Sequence, residues 1–374
     1  MENRILFVGG TWNLEGGKKS KLVDKFSSYL DNVTLYNGGD YRELERIIET
    51  AKDYDTVIWW ADVDNSLPKV RDVKEVNYKT MLITSKRNVD HKYTFQDLLQ
   101  RALHIKANLC VEFTKDNGVY GMRLFDPLGN VWYEGNNIEE CSKALNNRVN
   151  YLKSVTRSNT TKTSEEINPL PEDTKEQLNS EFITLVREYA NKFSEAIYET
   201  KDVKRFLGNA SFRCPKGFPS FRDGKHIYVS RRNVDKEYIT LDQFVPVYLK
   251  DSKIYYLGDN KPSVDTPIQV RMYQILPNIN YMIHSHCYID KAPFTEMPIP
   301  CGAIEEVEEI KKVIDYYYYG DYNRDFYVIN LVGHGSIMMA KVPGMLNNID
   351  IVGRPIPEKH DVKKLVLKRK VPLS

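Results

Sequence analysis

Apolar residues follow two alternating periods along the first 150 positions. Ile5-Leu6-Phe7-Val8 is a short apolar run ended by Gly9-Gly10, and it predicts a buried strand. Positions 18–30 predict a helix and 33–36 a strand. From Tyr41 to Lys52, residues Leu44, Ile47, Ile48 and Ala51 fall on one side of a helix. Thr56 to Trp60 and Lys79 to Thr84 predict further strands, and Phe95 to Leu103 a helix. Three strand-like runs follow near 108–114, 119–125 and 130–133. The turn signals Asp116-Asn117-Gly118 and Asp126-Pro127-Leu128-Gly129 separate them. This alternation predicts an α/β unit with a mainly parallel, doubly wound sheet of Rossmann or flavodoxin type and a β-meander near its end.

The pattern then breaks. Residues 154–172 are polar, with Pro169 and Pro171 near their end, and predict a linker. The domains are thus expected at 1–153 and 173–374. Asp173 or Thr174 suits the cap of a following helix. Leu178, Phe182, Leu185, Val186, Tyr189, Phe193 and Ile197 recur at helical spacing, as a core stripe does. Glycines and strand signals fill 208–257. Tyr281 to Ile289 predicts a strand. Ala303 to Asp315 predicts a second amphipathic helix, with Ile304, Val307, Ile310 and Ile314 on one side and a Glu308–Lys312 pair on the other. No internal repeat is visible.

Composition narrows the class. A chain of 374 residues suits two domains, and a net charge of +2 makes no electrostatic case for a nucleic-acid partner. No apolar run is long enough to span a membrane, so no membrane partner is expected. Cysteines at 110, 141, 214, 287 and 301 form no CxxC pair, and their number is odd. That suits free thiols in a reducing, cytoplasmic setting. The basic run between Lys363 and Lys370 suits a solvated tail or strand face.

Candidate chemistry gathers in the second half. His284 and His286 lie two apart in a predicted strand, so both imidazoles point to one face. With Asp265 and His334 they offer a donor set for a divalent ion, zinc foremost. Cys287 faces the other way, as a core thiol. In the first half, Gly9, Gly10, Thr11, Gly16 and Gly17 follow the first strand and lead into a helix. That is where open α/β sheets bind anions, so a phosphate or nucleotide is one expectation and a plain βα loop the other. The spacing is neither a Walker A loop nor GxGxxG. Asp62 and Asp64 lie near the same crevice.

The order of motifs carries a resemblance. Gly208-Asn209-Ala210-Ser211 is similar to a glycine-asparagine turn. Tyr228-Val229-Ser230-Arg231-Arg232-Asn233 is similar to a phosphate loop. Pro262-Ser263-Val264-Asp265, His284-Ser285-His286 and His334-Gly335 follow in sequence. From about 176 to about 345 the chain resembles the class II aldolase/adducin family. The resemblance implies a three-layer α/β/α domain with an antiparallel central sheet, and a homotetramer with active sites between subunits. It implies that Asp265, His284, His286 and His334 hold a divalent metal, and that Asn209, Ser230, Arg232 and Ser263 take a substrate phosphate.

The implied reaction is aldol cleavage or epimerisation of a phosphorylated sugar through a metal-stabilised enediolate. Pro262-Ser263-Val264-Asp265-Thr266-Pro267 resembles the ribulose-phosphate 4-epimerase branch. Val264 stands where that branch has a serine, and Arg231-Arg232-Asn233 where it has proline-serine-glycine. Asp290, Glu296 and a tyrosine of 316–319 are the candidate proton carriers, and Asp265, which could leave the ion to serve, is favoured as a permanent ligand; the tyrosines better suit an interface. The rivals are a dehydratase or lyase acting on a nucleotide-derived sugar and a non-catalytic adducin-like binding module.

Overall fold

The computed structural model describes residues 4–63, 73, 76, 77, 79–105, 107–116, 118–155, 160–164, 170–197, 208–213 and 226–353. Asp64, Cys214 and the basic run at 363–370 lie outside them. The chain divides into two units, the first ending at Ser154 and the second beginning at Val155.

In order, the first unit holds β1 (Ile5–Asn13), α1 (Lys21–Ser27), β2 (Val33–Asp40), α2 (Tyr41–Thr50), β3 (Thr56–Val63), β4 (Thr80–Val89), α3 (Phe95–His104), β5 (Leu109–Asp116), β6 (Val119–Phe125), β7 (Val131–Gly135) and α4 (Ile138–Ser154). One sheet runs in the order β2-β1-β3-β4-β5-β6-β7. The strands are parallel from β2 through β5, and β6 and β7 add an antiparallel edge. The parallel part has the 2-1-3-4-5 order of flavodoxin-like sheets. Alternation along β1 sends Leu6 and Val8 to one face, against Leu44 of α2 and Leu98 of α3. Ile5 and Phe7 go to the other, against Phe26 of α1 and Leu145 of α4. Helices therefore cover both faces, and the unit is doubly wound.

The glycine-rich segment differs from the expected open loop. β1 runs on through Gly9, Gly10 and Thr11, which pair with Trp60, Ala61 and Asp62 of β3, while pairing with β2 skips from Gly9 to Trp12. Thr11 N donates to Lys18 O at 2.9 Å and Gly17 N to Gly39 O at 2.8 Å, so these donors are used inside the protein. The glycines answer a packing need instead. A Cβ at Gly9 would sit 2.5 Å from Val23, and one at Gly17 would sit 1.6 Å from Thr11 O. Gly16, at φ +87°, makes the turn. Asp62 lies within β3, opposite Thr11.

The second unit holds β8 (Thr160–Thr163), α5 (Glu172–Gln177), a π-helical turn (Leu178–Ile183), α6 (Thr184–Ile197), β9 (Asn209–Arg213), β10 (Ile227–Ser230), β11 (Phe244–Lys250), β12 (Lys253–Leu257), α7 (Thr266–Ile275), β13 (Tyr281–Ser285), β14 (Tyr288–Ile289), α8 (Glu305–Tyr317), β15 (Phe326–Leu331), β16 (Gly335–Ala340) and β17 (Ile351–Gly353). Its sheet has the order β15-β16-β13-β9-β10-β11-β12-β8 and is antiparallel except at β12–β8. Phe182, Val186 and Tyr189 pack on one face against Phe212, Tyr281 and Ile283. Ile268 and Met272 of α7, with Ile310 and Ile314 of α8, pack on the other against Val229, Met282 and Ile337. This is the three-layer α/β/α arrangement with an antiparallel centre.

Three local expectations need correction. The polar stretch read as linker begins inside α4 and contains β8, an edge strand whose threonines favour extended backbone without needing burial. Asp173 and Thr174 lie within α5 rather than before it; Pro171 is the cap, and no side chain bonds there. The strand predicted over 281–289 stops at Ser285 and resumes briefly as β14.

Candidate metal centre

Four segments converge at one end of the second sheet. β13 delivers His284 in register with Asn209 of β9 on one side and Ile337 of β16 on the other. His286 stands just past the end of that strand. His334 sits in the tight turn between β15 and β16, where His334 N donates to Leu331 O at 2.9 Å. Asp265 lies immediately before α7, in a turn that Thr266 Oγ1 closes onto Ser263 O at 2.7 Å.

The imidazoles meet. Ring centroids are 5.2 Å apart for His284–His286, 4.7 Å for His284–His334 and 5.1 Å for His286–His334. One nitrogen from each lies within 4.8 Å of the others, and all three residues are buried. Tautomers follow from the partners. His284 Nδ1 lies 2.8 Å from Ser336 O, and a carbonyl only accepts, so Nδ1 carries the proton. Nε2 then presents its lone pair to the cluster. It is buried and has no hydrogen-bond partner among the described residues. His334 Nδ1 lies 2.8 Å from Glu306 Oε1, which orients the ring as carboxylate partners orient metal-binding histidines.

Asp265 Oδ2 is 3.9 Å from His284 Nε2. Its own carboxylate is held firmly: Gly302 N donates to Oδ1 at 2.7 Å and Asn209 Nδ2 to Oδ2 at 2.9 Å. Gln269 Nε2 donates in turn to Asn209 Oδ1. Asn209, expected at a substrate phosphate, therefore has both ends of its amide engaged by Asp265 and Gln269. Asp265 also belongs to a second close group with Cys301 and His334.

Charge and burial tune these groups. Burial, with His334 beside it, pulls the His284 imidazole down to about 4. Burial alone would lower His334 too, but the adjacent Cys301 thiol and Glu306 carboxylate raise it well above the usual value. An orphaned buried nitrogen, a fixed second imidazole, a third histidine and a carboxylate suit a divalent cation, and zinc fits imidazole donors well.

The other expected residues are more scattered. Ser230 is buried, its Oγ accepting from Ala210 N at 3.1 Å. Ser263 N donates to Ser230 O at 3.1 Å, which joins the two serine segments. Arg232 is exposed; partial burial of its guanidinium lowers its pKa while the Asp265 charge holds it up. Asp290 is exposed and lies 3.6 Å from Lys291, and Glu296 is exposed; neither joins the two gathered groups. Tyr316 and Tyr319 are exposed, and Tyr318 Oη donates to Val328 O at 2.8 Å. Cys287 is a core thiol, as its position suggests.

Sequence reasoning missed Glu306 and Lys236. Glu306 occupies the buried stripe of α8 with Ile310 and Val313, and a carboxylate on an apolar stripe was the available signal. Lys236 is buried, and desolvation brings it down to about 8 against the Asp235 and Asp265 charges. Its segment offered no such signal.

No curated protein matches the chain. Several solved structures do. L-fuculose-1-phosphate aldolase from Thermus thermophilus is 13% identical over 52% of this chain and 90% of that one, with a TM-score of 0.29. YgbL from Escherichia coli is 12% identical over 52% and 99%, with a TM-score of 0.32. The DNA/pantothenate metabolism flavoprotein from Streptococcus pneumoniae is 14% identical over 41% and 99%, with a TM-score of 0.31. These likenesses are too low to bear on activity. Residues 192–323, within the second unit, match the family model described as "Class II Aldolase and Adducin N-terminal domain".

Proposed function

We propose that this protein is a divalent-metal-dependent enzyme of the aldolase or epimerase type, acting on a phosphorylated sugar. The convergence of His284, His286 and His334 beside Asp265, with His284 Nε2 buried and without a hydrogen-bond partner, is the observation that carries the reading. The three imidazoles would hold the ion, zinc by preference, with Asp265 as the fourth protein group. A bound divalent ion supplies Lewis-acid stabilisation of the charge that develops on a substrate carbonyl and its neighbouring hydroxyl.

The chain's own groups do the rest. Glu306 and Ser336 O fix two rings in the tautomers that aim Nε2 inward. Gly302 N and Asn209 Nδ2 fix the position of the Asp265 carboxylate, each donating to one of its oxygens. Of the candidate carboxylates, Asp265 is the one beside the imidazoles, and it is favoured as a permanent ligand of the ion. Ser263 and Arg232, with Lys236 near the same carboxylate, are the favoured groups for a substrate phosphate. The exposed Tyr316 and Tyr319 suit a contact between subunits of a homotetramer.

Metal analysis of protein purified without chelator tests this directly. About one divalent ion per chain is expected, and His284→Ala should lose it. Unchanged metal content in His284→Ala shows that the ligands are wrong. A metal-free wild type favours the binding module. Product analysis by NMR with a panel of ketose and aldose phosphates then separates cleavage from epimerisation.

A further inference from the structure

His334 belongs to two gatherings. Besides the three-imidazole group, its ring nitrogen, an Asp265 oxygen and Cys301 Sγ lie within 4.8 Å of one another. The backbone after Cys301 is locked against Asp265. Gly302 N donates to Asp265 Oδ1 at 2.7 Å. Gly302 has φ +76°, and any Cβ there would lie 2.8 Å from Val264 O. Cys301 is therefore held beside the carboxylate by its neighbour.

Its thiol also differs from the others described. Cys110, Cys141 and Cys287 are buried, and burial pushes the first two up to about 12, so they are inert. Cys301 is only partly buried. An independent observation points to the same place: buried His284 Nε2, with no hydrogen-bond partner among the described residues, faces Asp265 at 3.9 Å. Imidazole, carboxylate and thiol around one point form a donor set for a borderline-soft cation.

We infer that Cys301 Sγ is a protein ligand of the ion this site binds, on the side that Asp265 lines. The inference rests on the metal-dependent reading above. On binding, the S–H bond breaks, sulfur donates its electron pair to the cation, and the proton goes to solvent. A sulfur donor selects zinc or cobalt over magnesium, which prefers oxygen.

Cobalt(II) loading of the metal-free, full-length protein tests the inference by absorption. The expected result is a sulfur-to-cobalt charge-transfer band in the near ultraviolet for the wild type. Cys301→Ser should bind cobalt and lack that band. Cobalt bound by the wild type without the band, or a band that survives in Cys301→Ser, overturns the inference and leaves the metal reading standing. A wild type that binds no cobalt overturns both. Alkylation of the wild type gives a second measure that does not depend on the variant folding. Zinc should slow iodoacetamide labelling of the Cys301 peptide about tenfold or more, since a ligated thiolate is a poor nucleophile. Equal labelling with and without zinc overturns the inference.

Discussion

At the scale of single residues, two histidines of the cluster act oppositely on pH. His284 is held down to about 4 by burial, below the ordinary imidazole value near 6.5. As pH falls from about 6.5 to about 4, the unfolded chain takes up a proton at this residue and the folded chain does not. Stability is therefore lost on the acid side, on the order of 3 kcal/mol for the full shift. His334 is raised, so its contribution is complete below about 6.5 and is lost as pH climbs toward its folded value. Thermal melts of the metal-free protein should show the acid loss, and His284→Gln should flatten it. An acid limb equally steep in His284→Gln would mean that His284 is not held neutral by burial. His284 and His286 were legible as a pair because strand spacing puts them on one face, whereas Asp265 and His334 were marked by the family resemblance. Glu306, Lys236 and Cys301 were not, since their roles come from residues distant in sequence packing beside them.

At the scale of elements, glycine lets the strands carrying the proposed ligands approach. β13 ends between two of them. A Cβ at Gly208, at φ +86°, would lie 2.4 Å from His284 O, and one at Gly335, at φ +151°, would lie 1.9 Å from Ser285 O. Gly335→Ala is expected to push β13 and β16 apart next to His334, cost more than the about 1–2 kcal/mol of backbone strain alone, and reduce bound metal. Gly258 has φ +88° with nothing within 4 Å of an added Cβ. Gly258→Ala should therefore lose only the strain and keep its metal. Full metal content in Gly335→Ala would show that the close approach is dispensable. Most strands and helices were readable from periodicity, including the core stripe of α6. The exceptions have physical causes. α7 is buried nearly all round, so it shows no amphipathic period. β8 is a polar edge. β1 continues past its apolar run because glycine and threonine can still pair.

At the scale of the whole molecule, the doubly wound unit and the α/β/α unit have separate cores, and the proposed metal ligands all belong to the second. Among the described residues no helix is long and apolar enough to cross a membrane. Calorimetry of the metal-free protein should resolve two transitions, of which added zinc raises one. With free zinc about a hundredfold above Kd the gain is about 2.7 kcal/mol, or roughly 5–10 °C for a unit of this size. Equal upward movement of both transitions would place a zinc site in the first unit as well. The parallel pairing of β8 with β12 has a consequence for synthesis. Lys162, on β8, bonds Asp259, 97 residues further along. As the nascent chain leaves the ribosome, β8 emerges with both flanks open and waits for β12 before one of them closes. Its threonines keep the waiting segment wettable, where a greasier strand would invite other chains to dock.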